Sequence, residues 1–91
     1  MNIISVPNID TARNDSIQNA ERIIQELAEY MNTIIIKGIW GEVAGGNRTY
    51  KFRFDDEGCK HKIAAMARIK EAYEQSGYQV VEGGFYYHFS W

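Results

Sequence analysis

The chain has 91 residues and a formal charge of −2 at neutral pH, a size that accommodates one domain and no second. Hydrophobic residues make up 45% and charged residues 24%, which excludes a disordered polymer, because this much apolar surface can be buried. The mild acidity argues against a protein that binds nucleic acid or membrane by bulk positive charge. The charge is uneven, however. Residues 37–70 hold eight of the ten basic side chains and four acids, a local balance of +4, while residues 1–36 and 71–91 each come to −3.

Cys59 is the single cysteine, so an intrachain disulfide and a CxxC metal site are both excluded, and a reducing compartment is the simpler expectation. No apolar run approaches the ~20 residues of a membrane span, and Met1 to Pro7 lacks the basic n-region of a signal peptide. The expectation is a cytoplasmic protein without membrane contact.

In chain order, Ile3 to Val6 reads either as a short strand or as an extended arm against the body. From Asp10 or Asp15 to Met31 the pattern is helical, with Ile17, Ala20, Ile24, Leu27, Ala28 and Met31 at spacings of three and four. Thr33 to Trp40 holds Ile34, Ile35, Ile36 and Ile39, β-branched residues that suit a strand. Ala44-Gly45-Gly46-Asn47 reads as a turn. Arg48 to Phe54 alternates Tyr50, Phe52 and Phe54 against Thr49, Lys51 and Arg53, so these two strands are expected to pair as a hairpin.

Asp55-Asp56-Glu57 reads as a helix start, with carboxylates at the positive end of the macrodipole. That helix should run to about Ser76 and bury Cys59, Ile63, Met66, Ala67 and Tyr73, with Ile69 on the flank. Gly77 stands where a C′ glycine belongs, and Tyr78 can supply the hydrophobic contact of a Schellman ending. Tyr78–Glu82 and Phe85–Trp91 then form a hairpin about Gly83-Gly84, placing Glu82 opposite Phe85 and Val80 opposite Tyr87. One face carries Tyr78, Val80, Phe85, Tyr87, Phe89 and Trp91, the other Gln79, Val81, Tyr86, His88 and Ser90.

The expected fold is a single α+β domain over residues 1–91, a two-layer sandwich of order α-β-β-α-β-β with both helices on one face of an antiparallel sheet. With a leading strand the order becomes ferredoxin-like, the last strand being an added edge.

Chemistry-bearing constellations are sparse. His61 and His88 are the only histidines, and no HExxH, GxSxG or P-loop occurs. Cys59 and His61 share no helical face and lack further ligands, so Cys59 reads as a core thiol and His61 as a surface residue. No catalytic residue, metal or cofactor is assigned. The uncovered sheet face has more to offer: Lys51, Arg53, Tyr86 and His88 interleave basic and aromatic groups, as in sheets that stack single-stranded bases, though RTYKFRF lacks the spacing of an RNP1 motif. The same face also reads as solvated surface or as a subunit interface. Twelve aromatic residues exceed what two helices can cover, and Tyr and Trp are enriched at interface hot spots. The partner-binding candidates are therefore Tyr86, His88, Trp91 and Trp40.

The pattern Ile69-x3-Tyr73-x3-Gly77-Tyr78-x-Val80, followed by a strand ending Phe89-Ser90-Trp91, resembles the ending of small accessory proteins of tailed phages. That resemblance implies a virus-encoded origin and carries over no site residue. The expected function is a small non-enzymatic interaction protein, a homodimer that docks on a host or phage protein. The rival expectation is a single-stranded nucleic-acid binder using Lys51, Arg53, Tyr86 and His88.

Overall fold

The computed structural model describes residues 4–91. Helix α1 spans Ile9–Ala44 and helix α2 Lys60–Gln75; the strands are β1, Thr49–Arg53, β2, Gln79–Gly83, and β3, Tyr86–Ser90. The chain is thus α+β in the order α-β-α-β-β, with three strands in the sheet order β1-β3-β2. Both outer strands run antiparallel to β3 and hence parallel to each other. β1-α2-β2 is therefore a crossover unit whose two strands are split apart by β3.

The expected strand at Thr33–Trp40 is the second half of α1. No Gly or Pro stands between Met31 and Ile34 to stop the helix, and Ala28, Met31, Ile35 and Ile39 continue one buried stripe at helical spacing. In a strand, Lys37 would share a face with Ile35 and Ile39; on the helix it is exposed. Thr33 donates its hydroxyl to the Glu29 carbonyl at 2.9 Å, satisfying the side chain within the helix. Tertiary burial here overrides β-branched propensity. Gly38, within the helix, lies against the Tyr50 ring, where a Cβ would overlap it.

Helix ends follow local chemistry. The α1 cap is Asn8, whose Oδ1 accepts from the amides of Asp10 and Thr11 at 3.0 and 3.1 Å, rather than Asp10 or Asp15. Gly46, expected in a hairpin turn, is the C′ residue of α1: Gly46 N donates to Val43 O at 3.0 Å and Asn47 N to Glu42 O at 2.9 Å. The α2 ending matches the sequence expectation. Gly77 adopts φ +96°, Gly77 N donates to Glu74 O at 3.1 Å, and Tyr78 N donates to Tyr73 O at 3.0 Å. Tyr73 and Tyr78 then meet edge-to-face at 5.0 Å, completing the Schellman motif.

Asp55-Asp56-Glu57 precedes α2 instead of opening it. Asp55 and Asp56 accept from the amides of Glu57 and Gly58 at 3.0 and 2.7 Å, making a turn ahead of Cys59. Cys59 is the N-cap residue and half-buried, and His61 is half-buried on the first turn, so neither reading of that pair holds as stated. The α2 core stripe is Ala65, Met66 and Ile69 with Tyr73, while Ile63 is 48% exposed and Ala67 lies outside.

The C-terminal hairpin turns at Gly84-Phe85, so Val80 pairs with Phe89 and Glu82 with Tyr87. This is two residues away from the expected register. Tyr78 is committed to the helix cap and cannot serve as the first strand residue. A two-residue slip keeps every side chain on its expected face, since the strand period is two; only Phe85 changes, to a 63% exposed loop position. β3, expected at an edge, is central. Ile3 of the anticipated leading strand lies outside the described residues; Ile4 and Val6 are exposed and belong to no strand, so a ferredoxin-like order does not form among the described residues.

The core lies between the helices and one sheet face: Ile35, Met66 and Phe89 are fully buried, with Phe52 and Val80 beside them. Each such side chain contributes ~1.5–3 kcal/mol by leaving water. Tyr73 donates to Asn32 Oδ1 at 2.6 Å, and Arg68 Nη2 reaches both Glu21 oxygens at 2.7 Å. N-terminal to these ties, α1 runs clear of the body, and the molecule is 74 Å long.

Candidate interaction surfaces

The residues singled out from sequence fall on two separate surfaces. The first is the uncovered sheet face. The register places His88 between Lys51 and Val81, and Tyr86 beside Arg53. Thr49, Gln79, Gly83 and Ser90 complete the face, so it presents two permanent cations and no carboxylate on a chain of net negative charge. Neither Lys51 nor Arg53 joins an ion pair among the described residues. Lys51 Nζ lies 4.2 Å from the Tyr86 ring centroid, a cation–π contact worth ~0.5–1 kcal/mol at an exposed site. That contact takes one face of the Tyr86 ring; the His88 imidazole is the other ring here. Val81, 51% exposed, is an apolar spot on the same face that sequence reasoning did not single out.

The second surface is a groove of about 310 Å³ at the C-terminal end of α1, lined by Ile36, Ile39, Trp40 and Val43, with Tyr73, Tyr78 and Trp91. Trp40 is 65% exposed, Ile36 43% and Val43 39%. Trp91 is held firmly: its amide donates to Arg48 O at 3.0 Å, Arg48 Nε donates to its main-chain oxygen at 2.8 Å, and its ring meets Tyr78 edge-on at 6.1 Å. Trp40 and Trp91 thus come together, but on the side of the sheet opposite Tyr86 and His88. The expected set of four partner-binding residues is two pairs. Ile36 escaped sequence reasoning because it was assigned to a strand, and Val43 because it fell between that strand and the turn; the spacing 36-40-43 was the available signal.

Three tyrosines hold their protons more tightly than usual. Burial raises Tyr73, with Tyr78 adding to it; burial and then Glu42 raise Tyr50; burial and then Glu82 raise Tyr87. All three are partly buried and pack against the core. Among the described residues no three His, Cys, Asp or Glu side chains converge to hold a metal ion, and no helix is long and apolar enough to cross a membrane.

No protein-family model, curated protein or solved structure matches this chain.

Proposed function

We propose that the protein is a small non-enzymatic interaction module, virus-encoded as the C-terminal resemblance implies, that docks an acidic surface of a host or phage protein on its uncovered sheet face. One observation carries this reading: Lys51, Arg53 and His88 share a bare face with no carboxylate, on a chain whose net charge is −2. Unpaired cations on a flat surface steer an anionic partner and fix its register. Val81 and Tyr86 supply the apolar centre that such contacts need.

Single-stranded nucleic acid is the rival occupant of the same face. Base stacking needs free aromatic planes, and Lys51 occupies one plane of Tyr86, the single Tyr, Trp or Phe on this face besides the smaller His88 imidazole, which favours a protein partner.

The test compares proteins captured from a bacterial lysate by the wild type and by a Lys51→Glu/Arg53→Glu double variant. The expected result is an acidic protein retained by the first and lost by the second. Anisotropy of a labelled mixed-sequence single-stranded oligonucleotide, at two salt concentrations, accompanies it. Tight binding that weakens steeply with salt replaces the protein reading with the nucleic-acid one. Capture that is identical for both proteins, with no oligonucleotide bound, removes the function from this face.

A further inference from the structure

Two exposed apolar features lie at opposite ends of α1. One is the groove where Ile36, Trp40 and Val43 face Tyr78 and Trp91. The other is the arm ahead of the helix, where Ile4 is 82% and Val6 76% exposed, joined by Ile9 at 60%. The two cannot meet within one chain. The helical rise from Ile9 to Trp40 amounts to roughly 47 Å, whereas the arm from Ile4 to Asn8 reaches at most ~17 Å when fully extended.

We infer that the groove receives the N-terminal arm of a second copy of this chain. Two α1 helices laid antiparallel about a twofold axis bring each arm to the other's groove, so one symmetry operation makes both contacts. With Val6 at the Val43 end of the partner's groove, the ~12 Å of arm and first helical residues brings Asp10 opposite the partner's Ile36–Lys37 turn, and an acid meets a base that has no ion-pair partner within its own described chain.

The arrangement also accounts for the projecting half of α1. Asp10, Thr11, Asn14, Asp15 and Ser16 are poor helix formers, every residue from Ile9 to Asn19 is exposed, and Ile17 is 63% exposed among them. A helical stretch this short and uncovered is marginal alone in water, and the partner helix covers it. Arm, projecting turns and groove together match the ~20–30 residues a side of a stable interface.

Sedimentation velocity across the micromolar range tests this on the full chain. The wild type should sediment at twice the 10.5 kDa chain mass. Val6→Asp in the arm and Trp40→Ser in the groove should each raise the dimer dissociation constant at least tenfold. Both positions are exposed, and circular dichroism on each variant checks that the body stays folded. An equimolar mixture of the two variants should recover dimer in part, because the arm of W40S and the groove of V6D are both intact. A wild type that is monomeric throughout overturns the inference, as does a dimer indifferent to both substitutions, or a mixture no more associated than its components. The Lys51→Glu/Arg53→Glu variant should remain dimeric, so failure of the docking reading and failure of this one are told apart.

Discussion

The two halves of α1 are one continuous helix in two environments. From Ala28 to Ile39 every turn puts a buried side chain against α2 or the sheet, whereas Ile9 to Asn19 touches solvent all round. The boundary falls near Glu21, where its pair with Arg68, two half-exposed side chains 2.7 Å apart, supplies no more than ~1 kcal/mol. The helix is continuous across that boundary. What differs is apolar burial, and burial rather than propensity holds a helix in a folded protein.

The sharpest way to break the comparison is a matched pair of truncations. Ile35→Ala, at a fully buried site, should cost ~2–5 kcal/mol in urea unfolding. Ile17→Ala, measured where the chain is monomeric, should change stability by less than ~0.5 kcal/mol. Equal costs would mean that the projecting half is packed after all.

Next in size is Gly38→Ala. Propensity alone favours the change by ~1 kcal/mol. The added methyl meets the Tyr50 ring, so a net loss of ~1–3 kcal/mol is expected from overpacking. A Tyr50→Ala background should restore the propensity gain, and a stabilised single variant would refute the close approach.

Asn8→Ala removes the α1 cap, a change worth ~1 kcal/mol of local helix stability. It should lower helical ellipticity and unprotect amides up to about Glu21, yet leave the urea midpoint of the body unchanged. A shifted midpoint would show that the two halves unfold as one unit.

The smallest effect concerns pH. Tyr73 keeps its proton above the ordinary value of 10.0, through burial first and Tyr78 second. The folded state therefore binds this proton more tightly than the unfolded one. The corresponding stability is complete below pH ~10 and is lost as pH rises toward and through the raised value. Urea midpoints between pH 8 and 11 should fall less steeply for Tyr73→Phe than for the wild type; parallel curves would rule Tyr73 out as a contributor.

Local signals were legible where a residue has one job. Gly77-Tyr78 ends α2 as its chemistry requires, because a positive φ followed by an aromatic suits a Schellman stop. The alternation from Thr49 to Phe54 and along the last strand assigned each side chain except Phe85 to the correct sheet face, so Lys51, Arg53, Tyr86 and His88 share a surface as expected. That assignment survived a two-residue error in register because the strand period is two. Gly45-Gly46-Asn47 was ambiguous in principle: a helix C-cap and a hairpin turn both call for residues that tolerate positive φ.

The amino-acid sequence by itself determined the α+β class, the α2 stop and the two faces of the sheet, since each follows from periodicity or backbone sterics within a few residues. Tertiary structure decided the rest. Ile34, Ile35, Ile36 and Ile39 have strand propensity, yet α2 and the sheet bury a helical stripe there, and a propensity of a few tenths of a kcal/mol per residue yields to ~1.5–3 kcal/mol per buried side chain. The same choice made β3 central, brought Trp40 to Trp91, and separated both from the basic face, because joining residues distant in sequence is the work of packing.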